Sequence, residues 1–244
     1  MDPWSEDEDG KITSLKGIEH FPNLKTLEVE GFSGSVNLGR NTALKSVSIR
    51  YGSLTSLNVK KNKNLTSLQL EENSLTNLDV TRNTKLTSLS VRGNNLSGLN
   101  VRKNTRLKFL DVADNKLKSL DVSRNTRLTY LDCGKNKLGS LDVKKNTRLV
   151  YLVCETNRLS KLDLSANTKL QGLAVFGNRK LKKLDISACK TLQKAVKTKK
   201  LQTSELPEGV RCWGTYFENE MIEGLAINPS QTIVAGKKTL YKGK

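Results

Sequence analysis

Hydrophobic residues recur along the chain with a period of 21 residues. The unit that begins at Asn104 reads NTRLKFLDVADNKLKSLDVSR and has apolar residues at Leu107, Leu110, Val112, Leu117, Leu120 and Val122. Full units begin at Asn41, Asn62, Asn83, Asn104, Asn125, Asn146 and Asn167, and a shorter one runs from Asn23 to Arg40. The first half of each unit predicts a strand around Phe109 to Val112, and the nearly constant second half predicts a tight turn. One unit buries too little apolar surface to fold alone, so the units are predicted to stack.

The LxxLxL spacing at this period is the signature of a leucine-rich repeat solenoid. We therefore predict an α/β repeat fold, a right-handed solenoid with a parallel β-sheet on its concave face. Residues 12–188 should form about eight coils, with strands about 4.8 Å apart. Such a chain presents a long surface, which favours a binding protein over an enzyme.

Both ends depart from the repeat. Residues 1–11 are rich in Asp and Glu and predict a flexible acidic leader. The period slips after Asn178, where Arg179–Lys180 adds a residue. Residues 189–244 predict a cap on the last coil, made of a short helix and a small β element. Its helix is expected at Lys190 to Lys199, and its strands at Val210–Phe217, Gly224–Ile227 and Thr232–Val234.

Two columns of asparagine follow the repeat. The first contains Asn62, Asn83, Asn104, Asn125, Asn146 and Asn167, and the second contains Asn73, Asn94, Asn115, Asn136, Asn157 and Asn178. An inward carboxamide can bond backbone groups where the chain turns and no strand ladder exists. We predict a structural role for both columns.

The outward positions of the strands form a candidate ligand-binding site. Aromatic residues occupy successive units in one column, with apolar or acidic residues beside them. The candidate residues are Phe109, Tyr130, Tyr151, Phe176, Val153, Asp111 and Asp132. An exposed apolar patch of this kind often binds a partner, and tyrosine is frequent at binding hot spots. The alternative is that the aromatics only stabilise neighbouring strands. The paired aspartates would receive Lys or Arg from a protein partner, or less readily Ca²⁺.

The net charge of +18 suggests a second function. Basic residues form columns that would suit an anionic polysaccharide or nucleic acid. The candidates are Arg82, Lys103, Arg124 and Lys145 in one column, and Arg106, Arg127 and Arg148 in another. A column of Asp79, Asp121, Asp142, Asp163 and Asp185 lies in the same turns and is expected to offset their repulsion. The alternative is that these basic columns form an ordinary solvent-exposed surface and bind no specific ligand. Nucleic acid is disfavoured because no recognition motif or interleaved aromatic residue accompanies the columns.

Catalytic chemistry finds little support in the sequence. The chain has one histidine, His20, and no GxSxG, P-loop or HExxH motif. Its cysteines lack CxxC spacing, so we expect no metal site and no cofactor. Cys133 and Cys154 are predicted to be buried free thiols. No run of 18 apolar residues predicts a membrane span. A non-enzymatic protein is therefore expected.

The repeat LTYLDC…N.L..LDV..NT.L resembles the 21-residue, cysteine-containing repeats of the internalins. Cys133 and Cys154 stand where that family places its cysteine ladder. The resemblance implies a bacterial protein that is extracellular or on the cell surface, although no signal peptide opens the chain. It implies adhesion or recognition of a protein, including a host protein, and a spacer role is a third alternative. Export would also allow a disulfide between Cys189 and Cys212.

Overall fold

Each repeat unit forms one coil of a solenoid in the computed structural model, which describes residues 12–197, 201–202, 224–226, 232–235 and 238–242. Fifteen strands and one α-helix are formed by these residues. The first strands are β1 (Thr26–Glu30), β2 (Ser33–Asn37), β3 (Ser46–Arg50), β4 (Ser53–Asn58), β5 (Ser67–Gln69), β6 (Ser88–Ser90), β7 (Phe109–Asp111), β8 (Tyr130–Asp132), β9 (Tyr151–Val153) and β10 (Gly172–Ala174). The C-terminal elements are β11 (Lys183–Asp185), α1 (Lys190–Lys197), β12 (Leu201–Gln202), β13 (Gly224–Ala226), β14 (Thr232–Ala235) and β15 (Lys238–Tyr241). A short 3-10 turn at Ile18–His20 precedes them.

The main sheet contains ten of the described strands, in the order β1-β3-β5-β6-β7-β8-β9-β10-β13-β12. Its strands are parallel, and from β3 to β10 the register advances by one repeat, so that Phe109 pairs with Tyr130 and Asp111 with Asp132. This confirms the predicted solenoid with its parallel sheet. Within the described residues, the α-helical structure is confined to α1, which follows the coils.

The core is a continuous column of inward side chains. The middle residue of each short strand, such as Leu110, Leu131 or Leu152, is completely buried. Burial of each such side chain contributes roughly 1.5–3 kcal/mol. Flanking strand residues point to the opposite side because strand side chains alternate. We call that opposite side of the main sheet the sheet face; it is the surface predicted to be concave.

Both asparagine columns bond the backbone, as predicted. In the first column, Asn104 Nδ2 donates to the carbonyls of Val80 at 2.9 Å and Asn83 at 3.0 Å. In the second, Asn115 Oδ1 accepts the N–H of Leu96 at 2.9 Å. Its Nδ2 donates to the carbonyl of Val91 at 2.9 Å. These contacts recur from coil to coil and tie each coil to its neighbours.

The C-terminal end does not extend the repeat in sequence order. After β10 the next strand of the main sheet is β13, with Gly172 opposite Gly224. Strand β11 instead pairs with β14, which pairs antiparallel with β15. Helix α1 lies within the predicted helical segment, and β13 and β14 fall on two of the predicted strands. The acidic leader and Val210–Phe217 lie outside the described residues.

A left-handed backbone conformation recurs once per coil. Positive φ angles occur at Tyr51, Glu72, Asp114, Lys135 and Thr156, and glycine occupies the same place at Gly93 and Gly177. Non-glycine residues adopt this conformation at a cost of about 1–2 kcal/mol. The repeat therefore carries a strained position that its hydrophobic pattern does not reveal.

The described residues contain no helix that is both long and apolar enough to cross a membrane.

Candidate binding surface

The aromatic part of the sheet face is built by β7, β8 and β9. The rings of Phe109 and Tyr130 are stacked, with centroids 4.5 Å apart and planes inclined by 7°. The Tyr151 hydroxyl lies 3.4 Å from Oε1 of Gln171. The strand register brings the aromatic side chains together as the sequence predicted. Because neighbouring strands are under 5 Å apart, rings in adjacent coils cover one another.

The predicted exposed patch is largely buried. Tyr130, Tyr151 and Val153 are only 4%, 8% and 4% exposed. Val153 packs with Ala174 and Phe176. Phe109 and Phe176 are intermediate in exposure and are the accessible aromatic side chains of the set. The expectation of an open aromatic surface is therefore wrong for Tyr130 and Tyr151.

Asp111 and Asp132 are engaged by an arginine of the same chain. Arg92 Nε lies 3.2 Å from Asp111 Oδ2, and its Nη2 lies 3.0 Å from Asp132 Oδ2. The second oxygen of each aspartate accepts a backbone N–H, from Ala113 at 3.0 Å and Gly134 at 2.9 Å. The expectation that these carboxylates await a partner's cation or Ca²⁺ is therefore wrong, because Arg92 already occupies that position.

The guanidinium of Arg92 pairs with both Asp111 and Asp132, and this arrangement shifts the pKa values of the buried groups. Burial and the charge of Asp111 raise the pKa of Asp132 to about 8, although Arg92 opposes the change. Desolvation alone would lower the pKa of Arg92, but Asp111 and Asp132 outweigh it and raise that pKa. Burial, with the same two carboxylates, raises the pKa of the Tyr130 phenol. The cluster is thus a buried network of interacting charges.

The N-terminal half of the sheet face is polar. Arg50 Nη2 lies 3.4 Å from Glu28 Oε1 and 3.0 Å from Glu30 Oε1. Glu71 follows Arg50 in the next coil, and burial raises its pKa against a hydrogen bond from Ser90. Charge alternates along Glu30, Arg50, Glu71 and Arg92.

Within this half, three polar atoms lack hydrogen-bond partners. They are all buried: Ser48 Oγ and Arg50 Nε on β3, and Glu71 Oε2 in the next coil. Buried polar atoms are normally bonded, so such a cluster requires an explanation. The alternating charges of these coils are the signal in the sequence that points to this part of the sheet face, whereas the predicted site lies on the aromatic residues farther along the chain.

The basic columns are exposed at the surface. Arg82, Lys103, Arg124, Lys145, Arg106, Arg127 and Arg148 all have high exposure. The aspartates expected to offset them pair with other cations: Lys60 with Asp79 at 3.5 Å, Arg102 with Asp121 at 3.4 Å and Lys144 with Asp163 at 3.0 Å. Those aspartates also accept N–H groups two residues onward, which fixes their direction. The charge of Arg124, a member of one basic column, also contributes to lowering the pKa of Asp121, so this aspartate offsets part of the positive charge without an ion pair to that column.

The cysteines occupy distinct places. Cys133 and Cys154 are buried free thiols, as predicted, and burial raises the pKa of both. Cys189 is also buried, and its Sγ lies 3.4 Å from the carbonyl of Asn167. Cys212 lies outside the described residues, so a disulfide between Cys189 and Cys212 stays a prediction. No group of three or more His, Cys, Asp or Glu side chains within the described ranges is placed to hold a metal ion.

Cys189 ends the first asparagine column. Its N–H donates to the Ile186 carbonyl at 2.9 Å, in the manner that the Asn167 N–H donates to Leu164 at 3.0 Å. Its thiol contacts the Asn167 carbonyl. In the preceding coils, the side chain that makes the equivalent contact is an asparagine carboxamide. Cys189 is therefore a structural part of the solenoid.

Known proteins share the repeat and the fold. The family model described as "Leucine Rich repeat" matches residues 82–99. Internalin F from Listeria monocytogenes is 21% identical, with 68% of this chain and 52% of that chain covered and a TM-score of 0.62. The plant peptide hormone receptor RGFR1, solved in complex with RGF2, is 17% identical, with 89% and 40% covered and a TM-score of 0.63. The functional domain of InlJ from Listeria monocytogenes, which includes a cysteine ladder, is 24% identical, with 92% and 60% covered and a TM-score of 0.47.

The repeat and the stacked parallel strands define a leucine-rich repeat solenoid. Its fold is similar to that of an internalin. The chain spans between 40% and 60% of the length of these three solved structures. A search of curated proteins finds no match.

Proposed function

We propose that the chain is a non-enzymatic binding protein that recognises a protein partner through the N-terminal half of the sheet face. The observation that carries this proposal is the alternating charge of Glu30, Arg50, Glu71 and Arg92 along this face, where the buried Arg50 Nε and Glu71 Oε2 atoms have no hydrogen-bond partner among the described residues. Rotation of these two side chains toward the surface would present a donor and an acceptor that match the N–H and C=O groups of an extended peptide. Bonding to a ligand would then remove the cost of leaving them unsatisfied, about 1–3 kcal/mol for each group.

The aromatic residues have a supporting role in this proposal. Phe109 remains accessible enough to contact the ligand, whereas Phe176 lies three coils farther along the sheet. Tyr130, Tyr151 and Val153 form the floor beneath them, and Asp111 and Asp132 hold Arg92 in place. The ligand would therefore lie across polar coils and reach Phe109 at the start of the aromatic part.

Similarity to known folds supports recognition of a protein. The receptor RGFR1, whose solenoid resembles this one, was solved in complex with RGF2. The resemblance of the repeat to those of the internalins also leads us to propose export to a bacterial surface and a part in adhesion.

Peptides selected on the immobilised chain from a displayed random library provide probes for the sheet face. Ser67 lies at the centre of the polar half and is partly exposed. Replacing it by tryptophan should block the face and weaken the selected peptides at least tenfold. Ser56→Trp is the matched control, because Ser56 is an exposed residue of β4 in the separate two-stranded sheet. Peptides that bind Ser67→Trp and the unchanged chain equally well would contradict the proposal.

A second candidate function is binding of an anionic polysaccharide through the basic columns. It is favoured by the absence of ion pairs at Arg106, Arg127 and Arg148 within the described part of the chain. Retention on immobilised heparin should then fall steeply with salt. Changing these three arginines to glutamate should abolish retention, and retention that survives would exclude these columns.

A further inference from the structure

The repeat is interrupted by one added residue at the turn after β10. Leu159 follows Asn157 after one intervening residue, whereas Leu181 follows Asn178 after two, Arg179 and Lys180. The equivalent turns after Asn94, Asn115 and Asn136 also have one intervening residue. The insertion therefore changes the local backbone without ending the asparagine column.

The insertion breaks a regular hydrogen bond between coils. In preceding coils, the residue after the asparagine donates its N–H to a leucine of the coil before: Ser74 to Leu54, Asn95 to Leu75, Lys116 to Leu96, Lys137 to Leu117 and Arg158 to Leu138, at 2.8–3.0 Å. At the insertion, the Leu181 N–H bonds the Asn178 carbonyl at 2.9 Å instead. The Arg179 N–H has no acceptor among the described residues. A backbone donor is thus released at this turn.

A cavity of about 460 Å³ opens at the same place, lined by Asn157, Arg158, Gly177, Arg179 and Lys180. Its lining contains three cations and no acid. None of these cations forms an ion pair with another described residue. Gly177 has a φ of 72°, and a Cβ there would lie 2.7 Å from Thr156 Oγ1, so no side chain can fill this wall.

The amide of Asn157 is already used by the solenoid. Its Oδ1 accepts the Leu138 N–H at 2.9 Å, and its Nδ2 donates to the carbonyls of Cys133 and Glu155, each at 2.9 Å. The groups left to meet a ligand are therefore cationic side chains and a backbone N–H. Lys116 and Lys137 precede Arg158 at the same place in the coil, so positive charge continues along this edge.

We propose that this cavity binds a sulfate or phosphate monoester. Guanidinium groups bond tetrahedral oxyanions through parallel N–H donors, and a free N–H adds a directional contact. Two arginines and a lysine converging on one cavity provide charge for a dianion. The lining shares no residue with the polar half of the sheet face or with the basic columns, so the proposal does not depend on either proposed function.

Calorimetric titration with sodium sulfate and sodium phosphate tests the proposal, with chloride used to hold the ionic strength constant. Both oxyanions should bind saturably. The Arg179→Ala/Lys180→Ala variant should bind at least tenfold more weakly. Arg127→Ala/Arg148→Ala removes the same charge from a basic column and should bind as the unchanged chain does. Deleting Lys180 restores the regular spacing and should also abolish binding.

Glucosamine 6-sulfate and glucose 6-phosphate distinguish the two sources of the oxyanion, and tighter binding of either one identifies the ester that the cavity takes. The proposal would be overturned if neither sodium sulfate nor sodium phosphate bound saturably. Equal losses in the two double variants would also overturn it, because they would show general attraction to positive charge. The Ser67→Trp variant should leave oxyanion binding unchanged, which separates this result from the test of the sheet face.

Discussion

Arg92 reaches across two coils to Asp132, with its Nη2 3.0 Å from the carboxylate Oδ2. Its Nε meets Asp111 in the intervening coil at 3.2 Å. A single side chain therefore ties three consecutive coils together on the sheet face. Ala113 and Gly134, which occupy the position of Arg92 in the next two coils, are small residues.

Replacing Arg92 by methionine should destabilise the fold strongly. Above pH 8, where both Asp111 and Asp132 are ionised, it leaves two buried carboxylates without their cation, which typically costs about 3–5 kcal/mol. Urea denaturation measures the change in the free energy of unfolding. Arg102→Met is the control, because its pair with Asp121 is exposed and should contribute less than about 1 kcal/mol. Adding Asp132→Asn to Arg92→Met should recover part of the loss; a double variant no more stable than Arg92→Met would contradict the proposed charge network.

The raised pKa of Asp132 predicts that stability falls as the pH rises. The folded chain holds a proton on Asp132 up to about pH 8, whereas the ordinary pKa is 3.8. Between these values the unfolded chain binds fewer protons, so the contribution is complete at low pH and is lost as the pH approaches 8. The slope from this group is at most about 1.4 kcal/mol per pH unit.

Urea midpoints between pH 5 and pH 8 should therefore depend less on pH in Asp132→Asn than in the unchanged chain. Asp121→Asn is the matched control, since hydrogen bonds from Ser123 lower the pKa of Asp121 and it titrates below this range. Identical slopes for Asp132→Asn and the unchanged chain would show that Asp132 is ionised throughout.

Thr156→Gly tests the recurring left-handed position. Thr156 is β-branched and has a φ of 47°, a conformation that costs about 1–2 kcal/mol and that glycine adopts freely. Relief of this strain should offset the entropy lost by ordering glycine, so stability should be unchanged or higher. Thr147→Gly, at an exposed turn, should cost about 0.5–1 kcal/mol. The two variants should differ by about 1 kcal/mol or more in thermal or urea denaturation; equal losses would argue against strain at Thr156.

Asn125→Ala measures the contribution of the first asparagine column. It removes donors to the carbonyls of Val101 at 3.0 Å and Asn104 at 2.9 Å. Each carbonyl keeps one backbone donor, the Asn104 N–H for Val101 at 2.9 Å and the Leu107 N–H for Asn104 at 3.1 Å. Loss of the two side-chain bonds should therefore cost about 1–3 kcal/mol in total. Asn125→Cys retains one weak donor and should cost less than Asn125→Ala. Asn64→Ala, at an exposed position, should change the free energy of unfolding by under about 0.5 kcal/mol.

Much of the fold follows directly from the period. Leu110 and Leu131 are one repeat apart, and a parallel register that buries one must bury the other. The stacking of Phe109 on Tyr130 follows from the same register. Periodic patterning therefore predicts strands, core and neighbours, because every coil repeats the same local contacts.

Other features lie outside what a period can predict. Arg92 uses a long side chain to cross two coils, and its direction depends on Asp111 and Asp132 jointly. Strand β13 joins β10 although about 50 residues separate Gly172 from Gly224. The burial of Tyr151 is also a tertiary property, since strand alternation places it outward but does not determine what covers it.

Cys189 has a consequence for the strength of the last contact between coils. A carboxamide in this column gives two N–H donors and bridges two carbonyls of preceding coils, as Asn167 does with Val143 and Asn146. The thiol of Cys189 reaches only the Asn167 carbonyl. The solenoid is therefore held less firmly at this end than between its central coils, and unfolding should begin here.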